Sequence, residues 1–148
     1  MSEITTFESR TGKPECTPDE VYNFVTDIRN FERFVPENNR ATLEAGQDSC
    51  TIRVDMLGNV KVRIAESIRP RKVVFEGNAP QVNDFSLKLD ISAAPSGMAE
   101  VKVTLLAELN PLLKMMAAGP ARQLLETLVN EMEKFKDWNN IRERNQSL

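Results

Sequence analysis

Between Arg40 and Asn110 the apolar residues fall at every second position, run after run. Ala41, Leu43 and Ala45 alternate with Thr42 and Glu44, and Ile52, Val54 and Met56 with Arg53 and Asp55. Val60, Val62 and Ile64 alternate with Lys61 and Arg63, and a short run follows from Val73 to Gly77. Phe85, Leu87, Leu89 and Ile91 alternate with Ser86, Lys88 and Asp90, and Val101 to Leu109 repeats the pattern. Leu57-Gly58-Asn59 and Pro95-Ser96-Gly97 supply turns between runs, and Pro70 interrupts one. Such alternation predicts an antiparallel meander with one wet face and one apolar face. The charges of the wet face can pair across strands at roughly 0.2–1 kcal/mol each. The apolar face needs a cover.

The cover follows directly in the chain. Asn110 suits a helix N-cap, and Pro111 the first helical position, where no N–H is required. Leu113, Met116, Pro120, Leu124, Leu128, Met132 and Phe135 then recur at a spacing of about 3.7 residues, a helical period. Arg122, Gln123, Glu126, Asn130, Glu133 and Asp137 occupy the other side. To Trp138 the segment would be roughly 40 Å long, enough to cross a sheet. Gly119-Pro120 predicts a kink, or a break after Ala118, because an interior proline removes a hydrogen bond at a cost of about 3 kcal/mol.

Ahead of the meander, residues 3–12 suit an opening strand. Thr17-Pro18-Asp19-Glu20 is a capping box that starts a helix with Val21, Phe24, Val25 and Ile28 on its apolar face. A second short helix is expected from Asn30 to Val35, stopped by Pro36.

Composition narrows the function. The chain has 148 residues, which predicts one domain over 1–148 with a frayed tail at 139–148. Nineteen basic and 22 acidic residues leave a net charge of −3, which argues against nucleic acid as a partner. No apolar run approaches the roughly 20 residues of a membrane span, and the N-terminus shows no signal pattern. There is no histidine, so Ser-His and Cys-His pairs and histidine metal sites are excluded. Cys16 and Cys50 fit no metal or redox spacing and read as free thiols of a cytoplasmic protein. No cofactor or metal is expected, and no feature specifies an oligomeric state.

The order of elements, the capped aromatic helix pair and the stretch Leu109-Asn110-Pro111-Leu112-Leu113-Lys114-Met115-Met116 resemble the START-like superfamily. That group includes SRPBCC, pollen-allergen-like and polyketide cyclase/dehydrase-like proteins, and the chain looks most like its small bacterial members. The resemblance covers residues 3–138 and implies an α+β helix-grip fold. In that fold a curved seven-stranded antiparallel sheet carries two short helices after strand 1, and the long C-terminal helix packs on its concave face. It also implies an internal cavity for a lipid, polyketide or quinone-like molecule.

Three functions are compatible with these residues. In the first, a small apolar molecule binds between sheet and final helix, against Val54, Met56, Val62, Ile64, Phe75, Phe85, Leu87, Leu105, Met116, Leu124 and Leu128. In the second, Glu66, Asn83 or Tyr22 reaches the cavity and serves a cyclase or dehydratase. Glu66 falls in phase with Ile64 on the apolar face, unless a bulge or a rim position takes it to water. Asn83, in phase with Phe85, would orient a ligand or merely begin its strand. In the third, the interior is filled solid and the protein is an interaction module. Met115 and Met116 beside Gly119-Pro120 would form a gate or ordinary core, and Phe24, Phe34 and Leu57 an entrance or ordinary packing.

Overall fold

A computed structural model describes residues 3–27, 30, 44–45, 49–54, 58–79, 82–136 and 138. The elements are β1 (Glu3–Glu8), α1 (Pro18–Val25), β2 (Glu44–Ala45), β3 (Ser49–Val54), β4 (Gly58–Ile68), β5 (Lys72–Ala79), β6 (Val82–Ala93), β7 (Ala99–Leu109) and α2 (Pro111–Lys134). The strands form one antiparallel sheet in the order β1-β7-β6-β5-β4-β3-β2. Six of these strands have six or more residues; β2, at the edge, has two. The expected seven-stranded sheet is therefore six substantial strands and a two-residue member. The second short helix expected over Asn30–Val35 lies, but for Asn30, outside the described residues.

Local chemistry explains where the helices start. Thr17 Oγ1 accepts from the Glu20 amide, and Glu20 Oε1 accepts from the Thr17 amide at 2.8 Å, closing the capping box. Asn110 Oδ1 accepts from the Leu113 amide at 2.9 Å, capping α2. At the β6–β7 turn Gly97 takes φ +87°, a value side chains resist, so glycine fits there.

One sheet face carries the core. Phe7, Phe75, Val73, Leu89, Val101, Val103, Ala107 and Leu109 are buried on it, beneath Ala121, Leu125, Leu128, Val129 and Met132 of α2 and Val21, Phe24 and Val25 of α1. The buried stripe of α2 differs from the expected one. Met116 is 55% exposed and Leu124 46%, whereas Ala121 and Leu125 are buried. The helix had two apolar lines to offer, and the sheet takes the one through Ala117, Ala118 and Ala121, whose small side chains allow a close approach. The expected break also fails to appear: α2 is one continuous helix from Pro111 to Lys134 with Pro120 inside it.

The C-terminal half of α2 is held by the chain after β1. Gly12 bridges to Val101 through backbone bonds of 2.7 and 2.9 Å. A Cβ at Gly12 would stand 2.6 Å from Val129 Cγ1, so the missing side chain lets α2 reach the sheet. Arg10 donates to Glu133 at 2.6 and 3.0 Å and also to Asn130, while the Lys13 amide donates to Glu133 at 2.9 Å. Lys136 pairs with Glu15. Phe24, Phe135 and Trp138 close this end, with ring centroids 4.9–5.1 Å apart.

Candidate functional site

Strand register fixes which residues share a row. Cys50, Val62, Gly77, Phe85, Ala107 and Thr5 are consecutive partners across β3, β4, β5, β6, β7 and β1, so their side chains face the helix side together. The next row holds Ile64, Phe75, Leu87, Leu105 and Phe7. A Cβ at Gly77 would lie 2.4 Å from Phe85 Cζ, so the Phe85 ring sits over the Gly77 backbone. Val62, Ile64, Phe85, Leu87 and Leu105 are half-buried, as are Leu113, Ala117 and Ala118 of α2. These residues form an incompletely sealed apolar face under the first half of the helix.

Toward the second half the interface is solid. The space among Val25, Phe75, Leu87, Leu89, Val103, Leu128 and Met132 amounts to about 10 Å³, the threshold for one water. Phe75 and Leu128, expected to line a cavity, are buried and border this small space. Met116 and Leu124 are more exposed than a pocket wall requires. The side chains of Val54 and Asn83, and the whole of Met56, Phe34 and Leu57, lie outside the described residues.

Glu66 does not face the helix. The β4–β5 register shifts between Ile64 and Glu66, so Ile64 pairs with Phe75 but Glu66 with Val74. The bulge turns Glu66 to the outer face, where it is exposed and lies 3.6 Å from Lys72 Nζ. The apolar phase rejects a carboxylate, whose burial unpaired would be costly. Tyr22 is buried in α1 under the Arg69 guanidinium, 4.6 Å from the ring centroid, and Arg69 also donates to Asn23 at 2.6 Å. None of the residues in the two rows from Cys50 to Thr5 and from Ile64 to Phe7 carries a carboxylate, amine or guanidinium. Burial pushes the Cys50 thiol up to about 11 and the Cys16 thiol up to about 12, so both stay protonated near neutrality.

One polar residue of this face was missed in the sequence. Thr5 is buried, and its Oγ1 has no hydrogen-bond partner among the described residues. Such a hydroxyl costs about 1–3 kcal/mol unless something satisfies it. Its position in phase with Phe7 was the available signal, masked by the commonness of threonine in strands.

A second, wider concavity of about 770 Å³ is lined by residues of both parities: Lys61, Arg63, Glu76, Asn78, Asp84, Ser86 and Glu108, and also Cys50, Val62, Gly77, Phe85 and Ala107 of the helix-facing row. Arg63 and Glu76 pair across it at 3.6 Å. It is an open, solvated saddle.

An antiparallel sheet closed on one face by a C-terminal helix defines a START-like protein of the helix-grip type. Residues 9–136 match the family described as polyketide cyclase/dehydrase and lipid transport, and the chain belongs to that family. Norcoclaurine synthase from Thalictrum flavum, in truncated form, has a similar structure with a TM-score of 0.68 at 7% identity, covering 90% of this chain and 93% of that one. The Mll3558 protein of Rhizobium loti superposes with a TM-score of 0.61 at 17% identity, covering 88% and 97%. CalU16 of Micromonospora echinospora gives 0.55 at 12% identity, covering 98% and 92%. These likenesses establish the fold. No curated protein shows a significant sequence match to the chain.

Proposed function

We propose that the protein binds a small hydrophobic molecule, of lipid, polyketide or quinone-like character, against the half-buried rows beneath the first half of α2. Val62, Ile64, Phe85, Leu87 and Leu105 would contact its body, and Thr5 Oγ1 would hydrogen-bond its polar end. The supporting observation is the conjunction of an unsealed apolar face with one buried hydroxyl that has no partner among the described residues. Mostly apolar pockets with a few placed polar groups are the usual form of a small-molecule site. The acid–base alternative loses its described candidates, since Glu66 and Tyr22 are engaged elsewhere. A carrier therefore fits the described residues better than a cyclase does.

Native mass spectrometry of protein from its own source, followed by thermal shift with fatty acids and quinones, tests the proposal. A ligand at a hundredfold its Kd adds about 2.7 kcal/mol and raises the Tm of a chain this size by roughly 5–10 °C. Thr5→Val should raise the ligand-free stability by about 1 kcal/mol while weakening binding. A bare mass and an unmoved Tm with every ligand would reject the proposal.

A further inference from the structure

The outward side of α2 changes character near Pro120. Before it stand Leu112, Met115 and Met116, 66%, 80% and 55% exposed; after it stand Arg122, Gln123 and Glu126, with Leu124 at 46% the exposed apolar residue among them. From Asn110 to Leu125 the charged residues are Lys114 and Arg122, with no acid among them. The first turn lacks the acidic residue that a helix N-terminus favours. Glu108, three residues earlier, lines the far face of the sheet. In a chain of net charge −3, this end of the helix is locally apolar and cationic. Beyond it stand Glu126, Glu131, Glu133 and Lys134, with Glu133 paired to Arg10.

We propose that this end of α2 docks on an anionic lipid surface. Leu112, Met115 and Met116 enter the boundary between headgroups and acyl chains, and Lys114 meets the phosphates. Arg122, whose guanidinium lies 5.9 Å from the Phe7 ring centroid, adds to the attractive field. The apolar residues project from the convex back of a helix, a shape suited to a fluid surface more than to a preformed pocket. Unbranched methionines suit irregular acyl chains. This surface goes beyond the ligand-binding proposal and stands whether or not a molecule fills the interior.

The test is co-sedimentation of the full chain with vesicles of phosphatidylcholine, alone or mixed with phosphatidylglycerol. Vesicles of these lipids read surface attachment, so thermal shift with fatty acids and quinones judges the interior separately. Binding is expected to the mixed vesicles, to weaken with salt, and to fall about fivefold in Lys114→Gln. Leu112→Glu with Met115→Glu should abolish it at unchanged Tm; Met115→Gln, a milder change, should weaken it if that pair fails to fold. Absence of binding by the wild type, or equal binding by the charged variants, overturns the proposal. So does a concentration-dependent dimer that Met115→Glu dissolves, which would assign the face to a second copy.

Discussion

The two halves of α2 share one axis and differ in almost everything else. The second half buries Leu125, Val129 and Met132, is clamped by Arg10 and Gly12, and ends in an aromatic cluster with Trp138. The first half has an exposed apolar back, half-buried alanines beneath it, and Pro120, which gives no N–H to the turn before. A helix can thus be anchor at one end and adaptable cover at the other. Local opening belongs where apolar contacts are few. The ligand face proposed above lies under the loose half, and the solid core under the tight one.

The sharpest way to break this comparison is a pair of neighbouring leucines. Leu125→Ala should cost about 3 kcal/mol, because the side chain is 1% exposed and leaves a cavity. Leu124→Ala should cost less than about 1 kcal/mol. Equal losses in urea melts followed by Trp138 fluorescence would mean that the helix is seated on its other apolar line.

Gly12→Ala comes next. Its Cβ would meet Val129 Cγ1 at 2.6 Å and Val101 Cγ2 at 3.2 Å, so about 1–3 kcal/mol of overpacking is expected. Hydrogen exchange should then quicken across residues 124–132 more than across 113–118; uniform quickening would deny that the halves are separately held.

Glu133→Gln tests the clamp through pH. The Arg10 side chain, and then the Lys13 amide, hold the Glu133 carboxyl down to about 2, below its ordinary 4.5. A depressed carboxyl stabilises the fold above its unfolded value and loses that contribution as pH falls through its folded value. The wild type should therefore lose stability between about pH 5 and pH 2 more steeply than the variant. At neutral pH the variant should be weaker by about 1 kcal/mol, since both partners keep contact with water. Parallel acid melts would remove the clamp from the account.

The smallest effect belongs to the loose half. Met115→Gln should change stability by less than about 0.5 kcal/mol, because the residue is 80% exposed. A larger loss in the same urea melts would show that its back is covered.

The fold was legible because its signals are local and repeated. Alternation from Val101 to Leu109 places four buried residues and the half-buried Leu105 on one side of β7, and the Thr17 and Asn110 caps start both helices where expected. The seat of α2 was not legible. Leu113 to Leu125 offers two apolar lines one residue apart, and the choice rests on alanine size and on Gly12, more than 100 residues away in the chain. Of the two outcomes expected at Pro120, a kink or a break, the break is absent, since docking on the sheet offsets one missing hydrogen bond. Thr5 escaped because its unsatisfied state depends on neighbours brought by β7 and α2.

Glu66 shows how little backbone such a decision needs. The extra residue in β4, Ala65, falls between Ile64 and Glu66 in the ladder, and everything after it is read in the opposite parity. Deleting Ala65 would leave Glu66 opposite Val74 and still outward, whereas straightening the bulge with Ala65 kept would set Glu66 opposite Val73 and swing an acid into the greasy layer. One bulged backbone position thus decides on which side of the sheet a carboxylate stands.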